Sequence, residues 1–572
     1  MTDPRLRKYR DYPRMAHWFN PLLLLKLLSN VILSSVFGQY ADRRLIVAAL
    51  DTVSADVHFE RACAVKKYFT PDTDGAVWLD WVADLGDGFD STYAVACLLA
   101  RQNLTIGGLM LPRGQALVMG GDEVYPKASK QAYANQMRQP YAWAFPDRDR
   151  KSADGVPVFA IPGNHDWYDG LVLFLAYFCR DKPVHLGNWR TCQHRSYFAF
   201  QITEKWWLWA TDIQLADDMD QPQAEYFTAI AKKMPHGSKI ILCSAEPGWL
   251  YTHTNRSSWD IMDYAIDIAE GADNGLTIPL LLSGDTHHYS RYVAKDGTQF
   301  VTSGGGGAFR HPTHQLTDTV SLKWNGRTKE LSLATHPAQQ DKAAEPKCYP
   351  SKTISRNLLW RNLLFAFINW DFSLLMGVVY WIASIGLTLR NEWDAYAIVA
   401  AIFAGAIMGY TYKQEQSGRT SVLITSALHS AAHVVAVICF TRFFAQWNDS
   451  HFILDGEWYS VWKWLGVLLI EMGAVGFLVG SAIFGLNLLI TCLCFGMNYN
   501  DAFSALRLNR FNNFLRLRIK DDNIEVFAIG LNDVPKRSQW VANPKARHGY
   551  PEEPVFIATP DLQPHLIERI GL

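Results

Sequence analysis

Five short apolar runs in the first two thirds of the chain each end in a residue that can bind a cation or carry a proton. VWLDWVA is followed by Asp84, QALVMGG by Asp122, VPVFAIPG by Asn164, KIILCSA by Glu246 and IPLLLSG by Asp285. Carboxylate and amide oxygens, with imidazole, are the hard and borderline ligands of divalent ions. One Asp or Asn after a strand is ordinary turn chemistry. Five in one stretch point to a site along a single sheet edge. The sharpest string is GNHD at Gly163–Asp166, with GGD at Gly120–Asp122 before it and GDTHH at Gly284–His288 after it.

Positioning such residues requires buried strands, and the runs have that form: short, apolar and closed by a turn signal. From about Arg44 to Gly307 they alternate with polar, helix-like stretches. Gly304–Gly307 reads as a flexible turn, and His311 and His314 as surface residues.

The ordered set GGD, GNHD, GDTHH resembles the calcineurin-like metallophosphoesterase superfamily over roughly Leu79 to Phe309. The resemblance implies a two-sheet αββα sandwich and hydrolysis of a phosphomonoester, phosphodiester or pyrophosphate. It also implies two divalent ions, which together neutralise the phosphate and acidify a bound water. By the same resemblance Asp122 bridges the ions, Asp84 holds the first and Asn164 the second. Asp285 and His287 complete the ligand set, His165 contacts the phosphate and protonates the leaving oxygen, and Asp166 orients His165.

This chain departs from the family pattern at three places. Asp84-Leu85-Gly86 lacks the histidine of the usual Asp-x-His, with Asp87 or Asp90 as its replacement. Ala245 stands where a histidine precedes the fourth-motif proline, with Glu246 beside it. Asp285 stands at the first histidine of the usual Gly-His-x-His, and His288 is an alternative ligand to His287. The resulting set is rich in carboxylate, which favours Mn or Fe over a Zn pair. The same losses support a second reading, a non-catalytic membrane sensor or transporter with a degenerate phosphoesterase domain.

Lys+Arg number 54 and Asp+Glu 55, a balance that excludes a strongly basic nucleic-acid binder. Nine cysteines without a CxxC pair argue against a disulfide framework. Arg5, Arg7, Lys8 and Arg10 precede an apolar run from Pro21 to Phe37, in which Lys26, Asn30 and Ser34 recur every four residues. That spacing reads as an uncleaved helix in the membrane interface or as a surface helix.

Beyond a polar linker containing HPAQQDKAAEPK, four long apolar segments follow at about Asn362–Leu387, Ala395–Tyr412, Ser421–Phe444 and Trp462–Gly496. Their lengths suit a bilayer core of about 30 Å. The fourth exceeds one upright crossing, so it is either bent near Gly473–Gly480 or double. Tryptophans such as Trp360, Trp370, Trp393, Trp447 and Trp462 crowd the segment ends as an aromatic belt. Lys352, Arg356, Arg361, Lys413, Arg419 and five basic residues between Arg507 and Lys520 flank one side. The positive-inside rule then puts the hydrolase domain and the tail in the cytoplasm, at a bacterial inner membrane. Asp371, His429, His433 and Glu471 fall inside the apolar segments, where ionisable groups are costly. FLRLRIKDDNIEVFAIGL in the tail reads as a β-hairpin.

The expected organisation is an N-terminal segment over 1–43, the phosphoesterase domain over 44–335 and a linker over 336–357. Transmembrane helices occupy 358–497 and a small β tail 498–572. Expected partners are the bilayer and a phosphorylated substrate, a membrane lipid among the candidates.

Overall fold

A computed structural model describes residues 9, 11–27, 43–51, 53–146, 155–212, 219–252, 257–335, 345–390, 392–412, 418–451, 458–547 and 552–572. The chain forms two compact units. One comprises Met1–Ala16, Leu27–Lys352 and Leu508–Leu572, the other His17–Lys26 and Thr353–Arg507.

All five apolar runs are strands of the first unit. They are β1 (Val77–Val82), β2 (Leu117–Met119), β3 (Val156–Ala160), β8 (Lys239–Ser244) and β9 (Thr277–Ser283). Between β3 and β8 lie β4 (His185–Leu186), β5 (Trp189–Thr191), β6 (Phe198–Gln201) and β7 (Trp206–Thr211). β10 (Tyr289–Ala294), β11 (Gln299–Ser303), β12 (Thr319–Trp324) and β13 (Arg327–Leu333) follow β9. Three strands come from the tail: β14 (Arg510–Lys520), β15 (Asn523–Asp533) and β16 (Pro564–Gly571).

One sheet has the order β16-β15-β14-β1-β2-β3-β5-β4. The other runs β12-β13-β10-β11-β9-β8-β7-β6, with Cys348–Tyr349 pairing on β10. The strand runs β1-β2-β3 and β7-β8-β9-β11 are parallel. Central parallel strands are buried on both faces, which explains their unbroken apolar sequences. Leu117, Met119, Val158 and Ala160 pack with helix α2 (Phe89–Ala100) in one core. Trp207, Trp209, Ile240 and Leu242 pack with helices α4 (Gln221–Lys233) and α5 (Ser257–Glu270) in another. Phe159, between Val158 and Ala160, turns the other way, as period-two geometry requires, and packs on Phe198 and Phe200 of the second sheet.

The tail hairpin is continuous with the site-bearing sheet, because β14 pairs antiparallel with β1. This pairing resolves an oddity of β1, whose apolar run carries Asp80 at its centre. Arg516 on β14 grips Asp80 with two hydrogen bonds of 2.7 and 2.9 Å, and both side chains are buried. Arg516 was counted above among the charges that orient the membrane helices; it is consumed inside the sheet instead. The expected linker is likewise partly structured. Residues 336–344 lie outside the described residues, while Cys348–Tyr349 is a strand and Lys352–Leu358 a helix.

Among the described residues, the second unit holds four helices long and apolar enough to cross a membrane: Trp370–Leu389, Trp393–Thr411, Arg419–His451 and Tyr459–Cys494. The first begins later than expected, because Leu359–Leu364 is a 3₁₀ turn and Asn369 interrupts the chain before Trp370. The fourth is one continuous element, with a π-helical turn at Gly476–Gly480 inside the stretch where the bend was expected. At the N-terminus, residues 21–27 are helical and include Lys26, while Asn30 and Ser34 lie outside the described residues.

Candidate metal centre

Asp84, Asp122 and His287 converge at the carboxyl ends of the strands, with one ligand atom from each within 4.8 Å of the others. All three are buried. Asp84, Asp122, Asp285 and His287 all adopt left-handed backbone, with φ of 57°, 53°, 64° and 43°. Such conformations cost about 1–3 kcal/mol each and persist where the surroundings over-determine them. Four of them at the ends of parallel strands turn the side chains inward instead of onward along the chain.

The backbone closes tightly on these carboxylates. A Cβ on Gly304 would lie 2.0 Å from Asp84 Oδ2, and one on Gly163 would lie 2.1 Å from Asp122 Oδ1. Gly304–Gly307 is thus a packed wall. The amides of Gly306 and Ala308 donate to the carbonyls of Ala83 and Asp84 at 2.8 and 2.9 Å. Two further amides hold the carboxylates, His165 N on Asp122 Oδ1 at 2.9 Å and Asp285 N on Asp84 Oδ1 at 3.1 Å.

Among the described residues, Asp84 Oδ2 and Asn164 Oδ1 are buried without a hydrogen-bond partner. A buried acceptor left unpaired costs about 1–3 kcal/mol, a cost that a bound cation would offset. The electrostatics agree. Burial, then the charges of Asp122 and Asp285, push the Asp84 carboxyl well above its usual range. Burial pushes Asp122 up to about 7, and burial with the Asp122 charge raises Asp285 to about 7. Burial, with His311 and Arg310 nearby, drives His287 well below the usual imidazole value, so it presents a neutral ring suited to ligation. This donor set fits a divalent ion.

His165 is oriented by the Pro126 carbonyl, which its Nδ1 meets at 2.8 Å. A carbonyl only accepts, so Nδ1 carries the proton and Nε2 is the basic nitrogen. The orienting role expected of Asp166 falls to Pro126. Asp166 lies in the short helix α3 (Asn164–Trp167) and turns back to cap it, accepting from Gly163 N at 3.0 Å and Glu123 N at 3.2 Å and from the Tyr133 hydroxyl.

The replacement ligands suggested by the sequence are placed elsewhere. Asp87 lies outside the converging trio and accepts from Ala16 N at 2.9 Å and Phe309 N at 3.3 Å. Asp90 accepts from Tyr9 and pairs with Arg537. Glu246 accepts from Ser258 at 3.1 Å. Asp285 by contrast stays beside the trio, its amide on Asp84 and its carboxylate accepting from Tyr251 at 3.1 Å. His288 is buried facing Thr286 at 3.5 Å, outside the trio. His311 is half-buried, with its ring 4.2 Å from that of His287.

Tyr125 is the main residue that sequence reasoning missed. Its hydroxyl lies 3.2 Å from Asp84 Oδ1, 2.8 Å from Asp122 Oδ2 and 2.8 Å from His287 Nε2, so it adds a fourth donor at the centre. The available signal was its place three residues after Asp122. Arg310 was also missed. Its buried guanidinium donates to the carbonyls of His287, Phe511 and Ala308, tying the ligand loop to the tail.

No protein-family model matches this chain, and no curated protein matches it. Among solved structures the chain is similar to one described as the structure of PhoD, at 11% identity and a TM-score of 0.27. The likeness covers 40% of this chain and 56% of that one, so the chain spans little more than half the length of that structure. The reading of the site rests on its own geometry.

Proposed function

We propose that this protein is a membrane-anchored, metal-dependent hydrolase of phosphoester or pyrophosphate bonds, built on the two-sheet sandwich of the metallophosphoesterases. The observation that carries the proposal is the buried convergence of Asp84, Asp122 and His287, with orphaned ligand atoms on Asp84 and Asn164. Asp84, Asp122 and His287, with the Asn164 amide oxygen and Asp285, would hold the metal, and Asp122 would be the ligand shared where two ions bind. Bound there, a pair of divalent ions supplies charge neutralisation and an acidified water. Carboxylate, amide and phenol oxygens around a single imidazole suit Mn or Fe better than a Zn pair. His165, its Nδ1–H fixed on Pro126, keeps Nε2 for the substrate. Burial lowers its pKa to about 4, and the negative charge of an arriving phosphate favours its protonated form, which then delivers a proton to the leaving oxygen. The basic residues flanking the four apolar helices support a cytoplasmic site-bearing unit at an inner membrane.

The second reading, a phosphate sensor without catalysis, is favoured by Glu246 and Asp87, whose carboxylates bond elsewhere and do not replace the missing histidines. Hydrolysis of an aryl phosphate by the unmodified protein with Mn²⁺ separates the two readings, and its absence would leave the sensor; one variant then tests the site. Asp122→Ala in the full-length protein should lose both bound metal and aryl phosphate hydrolysis. Two tightly held ions per chain in that variant would rule out the bridging assignment.

A further inference from the structure

We propose that the phosphate taken by this site is the head group of an amphiphile, a lipid phosphate or lipid pyrophosphate, and not a free metabolite. The proposal rests on the hydrolase reading above. It comes from where the chain leaves and re-enters the site-bearing unit. The N-terminal segment ends at Ala16, whose amide is held by Asp87 at 2.9 Å, while Phe89 N donates to Pro13 O at 2.9 Å. A Cβ on Gly88 would lie 2.4 Å from Met15 N, so this segment is pressed onto the loop that follows Asp84. The second exit, at Lys352, is fastened by Thr313 Oγ1 to Pro350 O at 2.7 Å and by Lys352 Nζ to Leu316 O at 2.7 Å. The re-entry at Leu508 is fastened by Ser91 to Asn509 at 3.1 Å and by Asn513 N to Gly305 O at 3.1 Å. Arg310 adds a bond to Phe511 O at 3.2 Å.

These three of the chain's four crossings between the units therefore lie on the segments over 84–91 and 304–316, which carry or abut Asp84 and His287; the fourth crossing is at Lys26–Leu27. At the three, the next residue, His17, Thr353 or Arg507, belongs to the unit with the four apolar helices. Anchoring a soluble enzyme needs one connection at any surface point. Three connections on the ligand loops make sense for a substrate whose chains cannot leave the bilayer without a cost that rises with every methylene. In the reaction, the water oxygen bonds to the terminal phosphorus and the bond from that phosphorus to its bridging oxygen breaks, the ester bond in a lipid phosphate or the anhydride bond in a lipid pyrophosphate. The leaving oxygen takes the proton, yielding inorganic phosphate and a lipid alcohol or lipid monophosphate.

The test uses the full-length protein with Mn²⁺ in mixed micelles. Dioleoyl phosphatidic acid and farnesyl pyrophosphate are compared with glycerol 3-phosphate and an aryl phosphate. The expected result is a kcat/KM for one of the lipids at least about 100-fold above that for glycerol 3-phosphate, with a rate that follows its mole fraction in the micelle. Glycerol 3-phosphate turned over as well as the lipids would overturn the proposal. Aryl phosphate hydrolysis with neither lipid attacked would also overturn it, leaving the hydrolase reading intact. No hydrolysis of any of the four would remove both.

Discussion

The protein buries ionisable side chains in two places and treats them in opposite ways. At the candidate metal centre, Asp84, Asp122 and His287 crowd together, and Asp84 and Asn164 leave acceptor oxygens unpaired. In the apolar unit several of the groups pair with one another, although His429 Nδ1 and Asn448 Oδ1 are left unpaired. Tyr380 meets His433 Nδ1 at 2.7 Å, and His433 meets His429 at 3.1 Å. Asn448 donates to Glu471 at 2.7 Å, and Asn20 to Asp371 at 2.9 Å. His429, His433 and Asn448 sit on one helix, Arg419–His451, whose buried residues are mostly polar, including Thr425, Ser426, Ser430 and Thr441. The first arrangement needs a cation from outside; the second is largely a hydrogen-bonded network that fixes helix packing. Burial alone therefore does not mark the candidate metal site; the convergence of Asp84, Asp122 and His287 does.

The contrast can be broken most forcefully at His165. If it is the acid, His165→Ala should lower kcat by about 10²–10⁴ with metal content unchanged, read by steady-state kinetics and elemental analysis. Unchanged turnover of a poor leaving group would remove the acid role. Next comes Arg516→Ala. It strands Asp80 in the core of β1 and should destabilise the site-bearing unit by about 3–5 kcal/mol, measured by denaturant unfolding. A loss under 1 kcal/mol would mean that the tail is dispensable to the sheet.

The metal-free protein should also respond to pH. Asp122 and Asp285 have carboxyls raised to about 7, so the folded state binds more protons than the unfolded chain across that window. Stability from protonation is then fully present near pH 4 and lost as pH rises through about 7. Metal should abolish the decline, because the cation replaces the protons. A metal-free melting temperature that rises from pH 5 to 7.5 would contradict this. The smallest effect is expected in the membrane unit. His433→Phe removes one link of a hydrogen-bonded network and should cost about 1–3 kcal/mol. Aryl phosphate turnover should stay unchanged, and a fall of tenfold or more would show that the two regions are not independent.

Much of this was readable from local sequence. The strands before Asp84, Asp122, Asn164 and Asp285 announce themselves by continuous apolar residues closed by a turn, because a central parallel strand is buried on both faces. What escaped was set by distance or by small rotations. Arg516 meets Asp80 across 436 positions of chain, and no local pattern says that a hairpin beyond the apolar helices will add to the edge of β1. Asp87 looked like a ligand from its place near Asp84, yet its carboxylate turns to the amides of Ala16 and Phe309. Asp166 looked like the partner of its neighbour His165, but a carboxylate at the third position of a helix reaches its own N-terminus first. Tyr125 was passed over because tyrosine is most often a packing residue, and only the left-handed turn at Asp122 brings its hydroxyl back among the ligands.

The most direct test of the central claim is turnover under control of the metal. Full-length protein stripped with a chelator and then reloaded with Mn²⁺ is assayed on an aryl phosphate, with bound metal counted on the same sample. The expected result is loss of hydrolysis on stripping and recovery in step with ions bound, up to two per chain. Hydrolysis that persists in the stripped protein, or a fully loaded protein that turns over no phosphate ester, would contradict it.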